Sequence, residues 1–190
     1  MFTYRFVDLP RLPEDFISLL LEDWQNQIPC NISPPVPCAG LPLYEKGETI
    51  GVNATQTNMK INSTVEEWVR KNITAEYRYV GVNITQQGYI NASPHLDRRK
   101  FALIYLIRAG NEPGKKATLS FYQTKDQSSP EFRYFDYDQL EKIDSVAVPE
   151  NTWYLVNGGE ILHGNENISQ GRFTFQITLD SIPENFKFLS

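Results

Sequence analysis

Hydrophobic residues recur at helical spacing in two stretches near the start of the chain. In LPEDFISLLLEDWQNQI, Ile17, Leu20, Leu21, Trp24 and Ile28 follow i, i+3, i+4, i+7, i+11 spacing, which gathers them on one face of an amphipathic helix. Pro13 suits the first turn, and Glu14 and Asp15 suit the positive end of the helix dipole. A second helix is predicted at STVEEWVRKN: Ser63 and Glu66 have capping-box spacing, Val65, Trp68 and Val69 form the apolar stripe, and Arg70 and Lys71 close the last turn. Between them, residues 29 to 62 carry Pro29, Pro34, Pro35, Pro37 and Pro42 and little periodicity. A long loop, functional or partly disordered, is the expectation there. From residue 76 the period changes to that of strands. The runs are EYRYVGVNI, GYINASPH, KFALIYLIR, TLSFYQ, EFRYF, SVAVP, WYLVN, a short one at ILHGN, and RFTFQITL, separated by Gly, Pro and Asn-rich breaks.

Many short strands at regular intervals predict a sandwich or barrel. The expected architecture is mainly β with flanking N-terminal helices, in a single domain spanning residues 1–190: helices and loop over 1–75 support a β core over 76–180. No internal repeat is visible.

Composition narrows the function only a little. The net charge is -5, which argues against nucleic acid as partner, because phosphate contacts need a basic surface. The run Arg98, Arg99, Lys100 is the one local exception. No apolar run reaches the roughly 20 residues that span a bilayer. The N-terminus MFTYRFVDLPRLPEDF is broken by Arg5, Asp8 and Pro10 and does not read as a signal peptide. A cytoplasmic protein is therefore expected, in which Cys30 and Cys38 are free thiols rather than a disulfide. On the same reading the sequons at Asn31, Asn53, Asn62, Asn72, Asn83, Asn91 and Asn167 reflect Asn-rich composition.

The chain has two histidines. His95 in SPHLDRRKF stands two residues before Asp97, and on a strand residues i and i+2 point the same way. An imidazole and a carboxylate then share one space, and a third ligand from another strand completes a facial two-His-one-carboxylate set of the kind that holds Fe(II) with open positions for substrate and oxygen. Taken alone, His95-x-Asp97 reads more readily as a solvated turn with Asp97 paired to Arg98 or Arg99. His163, in EILHGNEN, supplies the missing imidazole. Nine residues later Arg172 opens RFTFQITL, where Arg172, Thr174 and Gln176 alternate with Phe173, Phe175 and Ile177. If the polar face lines a pocket, Arg172 can grip a carboxylate bidentately and Thr174 can add a hydroxyl. If it faces water, Arg172 is a surface charge.

The ordered set His95-x-Asp97, His163, Arg172 and Thr174, with GYINASPHLD, ALIYLI, TLSFY and SVAVPENTWYLVNGGEILHGNEN around it, resembles the iron(II)- and 2-oxoglutarate-dependent oxygenases, prolyl-hydroxylase-like members included. The resemblance covers roughly residues 76 to 180. It implies a double-stranded β-helix (jelly-roll) core, with His95, Asp97 and His163 binding Fe(II) and Arg172, assisted by Thr174, holding the distal carboxylate of 2-oxoglutarate. It further implies consumption of O2, release of succinate and CO2, and hydroxylation of a protein or small-molecule substrate. Tyr105 is the candidate for the tyrosine that many members add to the co-substrate site, although it shares parity with Phe101 and Leu103 and reads equally as a core aromatic. Tyr89 and Asn83 are further candidates for the pocket lining. Two rival readings stand beside it: a cupin-like metal-binding jelly roll that does not use 2-oxoglutarate, and a non-enzymatic β-sandwich binding module. Specificity is expected in the 29–62 segment and in TKDQSSPEFRYFDYDQL, as loops on a rigid scaffold.

Overall fold

The computed structural model describes residues 2–25, 41–45, 48–55, 63–73, 77–84, 94–97, 99–126 and 137–189. Cys30, Cys38, Tyr89 and Arg98 lie outside them. In chain order the elements are β1 (Tyr4–Phe6), α1 (Glu14–Gln25), β2 (Leu41–Glu45), β3 (Glu48–Thr55), α2 (Ser63–Asn72), β4 (Tyr77–Ile84), β5 (Phe101–Arg108), β6 (Thr118–Thr124), β7 (Leu140–Val146), β8 (Thr152–Val156), β9 (Leu162–Glu166) and β10 (Phe173–Leu179). The fold is mainly β, with few helices and two antiparallel sheets. A seven-stranded sheet runs β1-β8-β5-β10-β4-β3-β2, and a three-stranded sheet runs β7-β6-β9. No helix of the described residues is long and apolar enough to cross a membrane.

Alternation along the central strands sorts the side chains into two cores. Phe101, Leu103 and Tyr105 of β5, Trp153 and Leu155 of β8, and Phe173, Phe175 and Ile177 of β10 form one with Phe16 and Leu20 of α1 and Val65 and Val69 of α2. Trp153 is its hub: its indole N–H donates to Pro10 O at 2.8 Å, and its ring stacks on Trp68 at 6.4 Å. The opposite face of the large sheet carries Ala102, Ile104, Leu106, Tyr154 and Val156, which pack with Leu119 and Phe121 of β6 to fill the space between the sheets. Each strand thus serves helices on one side and the second sheet on the other.

Three expectations need correction. Only the first two residues of SVAVP are strand; β7 is LEKIDSV, whose middle residues are all exposed, while buried Val148 follows it in irregular chain. A strand exposed on both faces carries no alternation for a sequence reading to find. β1 went unread because three residues show no period. The Pro-rich segment holds a β2–β3 hairpin, with Leu41 opposite Asn53 and Glu45 opposite Glu48. Pro42 fits because β2 is the sheet's edge, where a missing N–H breaks no ladder.

Candidate metal centre

His95 and His163 are brought together by backbone. They form a β-bridge in which His95 N–H donates to His163 O at 3.0 Å and His163 N–H donates to His95 O at 3.1 Å. Directly opposed residues in such a pair project to the same face. The imidazole centroids lie 4.6 Å apart. Asp97, two residues on, reaches the same side. Its N–H is fixed by Gly158 O at 2.8 Å. Its carboxylate stands 3.6 Å from His95 Nε2 through Oδ1 and 3.7 Å from His163 Nε2 through Oδ2. One donor atom from each of the three residues falls within 4.8 Å of the others. Leu96, between the two ligand candidates, points the other way into a small core with Tyr122, Leu140 and Leu162.

The donors are chemically ready for a divalent cation. The Nδ1 of His163 lies 3.1 Å from Ile161 O. A carbonyl only accepts, so Nδ1 carries the proton and Nε2 presents its lone pair. Burial first, then the neighbouring His95, holds the His163 imidazole below its ordinary value, favouring the neutral form. Burial works against ionising Asp97, but the His95 hydrogen bond and the charges of His163, His95 and Arg99 outweigh it and carry the carboxyl down to about 2. Two imidazoles and one carboxylate form the mixed set that suits Fe(II) or a similar ion. Gly158 presses against the cluster: a Cβ there would overlap Asp97 Oδ2 and come within 2.9 Å of His163 Cε1.

The His163 side chain faces the space between the sheets, because its ladder partner is Phe121 of the inner core. Arg172 enters the same space. It is only 5% exposed, and its Nη2 donates to Tyr154 Oη at 2.8 Å. Burial keeps Tyr154 protonated despite the guanidinium beside it, so the phenol does not neutralise Arg172. Among the described residues no carboxylate pairs with it. A buried cation without a paired carboxylate is costly, and a guanidinium has the planar donor fork that suits an anion.

Other candidate residues fall on both sides of the sheet. Thr174 is buried, and its partners across β10 are Leu106 and Asn83. The Leu106 pairing puts Thr174 on the inner face with Arg172, and Asn83 is its neighbour in the ladder. Of the two readings of Tyr105, its surroundings match the core aromatic. Its ladder partner is Phe175, it is 1% exposed within the helix-side core, and its ring lies 5.0 Å from Trp153. Its hydroxyl reaches Asn151 Oδ1 at 3.4 Å, not Arg172. The phenol beside Arg172 belongs to Tyr154, which the sequence reading missed. The signal was present in WYLVN: with Trp153 and Leu155 committed to one core, Tyr154 has to face the other.

No known family profile matches the chain. No curated protein sequence matches it either. Among solved structures, a Pseudomonas putida prolyl-4-hydroxylase aligns over 95% of this chain and 94% of that chain, with a TM-score of 0.47 and 12% sequence identity.

Proposed function

We propose that the chain is an Fe(II)- and 2-oxoglutarate-dependent oxygenase of the hydroxylase type, built on a jelly-roll core over residues 76–180. The observation that carries this reading is the pairing of a His95–Asp97–His163 donor set with a buried Arg172 that has a phenol but, among the described residues, no carboxylate beside it. A metal site alone fits many activities; a metal site sharing an inner space with an uncompensated guanidinium fits a ligand that is both a chelator and an anion. A 2-oxo diacid is such a ligand.

In this reading His95, Asp97 and His163 hold Fe(II), and Arg172 with Tyr154 holds the distal carboxylate of 2-oxoglutarate, Thr174 assisting. When bound, iron and 2-oxoglutarate supply the oxidising chemistry: with O2, the co-substrate gives succinate and CO2 and one oxygen atom enters the substrate as a hydroxyl. The chain's own part is geometric and electrostatic. Ile161 O fixes the His163 tautomer. Leu119, Phe121, Ile104 and Leu106 keep the inner space apolar and dry. The acidic net charge of -5 favours a protein or small-molecule substrate over nucleic acid. A cytoplasmic location goes with that proposal.

Thermal unfolding with Mn(II), a redox-inert stand-in for iron, tests the reading. Mn(II) should raise Tm, and 2-oxoglutarate should raise it further only when Mn(II) is present. Arg172→Ala should abolish the second increment and keep the first. An Mn(II) shift with no response to millimolar 2-oxoglutarate would favour a cupin-like metal protein. No response to either would favour a binding module.

A further inference from the structure

Among the described residues three buried side-chain oxygens have no hydrogen-bond partner: Asn157 Oδ1, Asn165 Oδ1 and Thr178 Oγ1. Asn157 already holds Glu160 Oε2 through its Nδ2 at 2.9 Å, within the turn around Gly158. Asn165 is different. It stands two residues after His163 on β9 and therefore shares its face. Its ladder partner is Leu119, a member of the inner core, so the amide faces the space between the sheets.

The chain's path gives that position meaning. β9 leaves the metal ligands at His163, passes Asn165, turns at residues 167–171, and re-enters the opposite sheet at Arg172. Asn165 thus lies on the inner face of β9, between His163 and Arg172 along the chain. An unpaired buried amide oxygen is a cost that an apolar residue of the same size would avoid. The amide can present either end, since the two orientations have almost the same shape.

Resting on the oxygenase reading above, we infer that Asn165 is a co-substrate-binding residue, its side-chain N–H donating to the metal-side carboxylate of the 2-oxoacid. The proximal carboxylate is chosen over the distal one because Asn165 follows the metal ligand directly on the strand, whereas the distal one is taken by Arg172. The 2-oxoacid then meets a hydrogen bond at each end, and with the amide turned over its N–H group takes the buried position in place of the unpaired Oδ1.

The test uses Mn(II)-loaded wild type, Asn165→Leu and Asn165→Asp, with 2-oxoglutarate affinity read by calorimetry and Tm read on the metal-free proteins. Asn165→Leu should keep or raise Tm, leave Mn(II) affinity within about twofold, and weaken 2-oxoglutarate on the order of tenfold or more. Asn165→Asp should weaken it further, because a carboxylate then faces a carboxylate. It also decides the matter if the leucine variant does not fold. Wild-type affinity in both variants would overturn the role of Asn165 and leave the oxygenase reading standing. A wild type that binds Mn(II) but not 2-oxoglutarate would overturn both.

Discussion

Gly158 sets how closely the three donor residues can gather. Any Cβ there overlaps the Asp97 carboxylate and crowds the His163 ring, so Gly158→Ala should weaken metal binding about 10–100-fold, as displaced ligand supports do elsewhere. Mn(II) titration checks this, and unchanged affinity would show that the turn has room to yield. Acid acts on the same donors. His163 is held below the ordinary imidazole value of 6.5 by burial and by His95, so the unfolded chain takes up a proton there more readily than the folded one. Metal-free stability should therefore fall as pH drops through 6.5, and a His163→Gln protein should lose that part of the dependence in urea unfolding. Asp97 works at lower pH: its contribution is present above its ordinary value of 3.8 and is lost as pH falls toward about 2. The residues of this centre were legible because their types are rare and their order is specific: two histidines, one acid at i+2, one arginine opening the last strand. Tyr105 had two readings because parity within one strand groups it with Phe101 and Leu103 without saying which face that group takes. Only the shared core with Trp153 and Phe175 does. The approach of Gly158 to Asp97 and the inward face of Asn165 were not legible, since both depend on what another strand places against them.

At the scale of elements, the described residues 94–97 that carry His95 and Asp97 lie outside the named strands. They form a single bridge to β9, anchored by the backbone bonds of His95 and by Leu96. Leu96 is 7% exposed and sits against Tyr122, Leu140 and Leu162. Tyr122 is pinned in turn by Glu166, whose carboxylate also accepts from Lys142 Nζ at 2.7 Å. Leu96→Ala should cost about 2–5 kcal/mol in urea unfolding and should also loosen the metal site, whereas Leu96→Met should restore most of both. Full metal affinity in a destabilised Leu96→Ala protein would show that the bridge alone positions the ligands. The helices and the strands that alternate clearly were readable from period alone, α1, α2, β4, β5 and β10 among them. β1, β7 and the β2–β3 hairpin were not, because edge and doubly exposed strands are set by pairing partners rather than by their own pattern.

For the whole molecule, the large sheet divides the labour. One face is committed to the helices around Trp153, and the other faces the small sheet and carries Arg172, Tyr154 and Thr174. His163 and Asn165 face them from β9. The central claim is that metal donors and anion receptor act on one ligand. The most direct measurement is an anaerobic titration of metal-free protein with Fe(II) and then 2-oxoglutarate, following the visible charge-transfer absorption of the chelated iron. The expected result is a band in wild type that is lost in His95→Ala and that needs much more 2-oxoglutarate in Arg172→Ala. Iron binding with no band at saturating 2-oxoglutarate, or a band indifferent to Arg172, would contradict the claim.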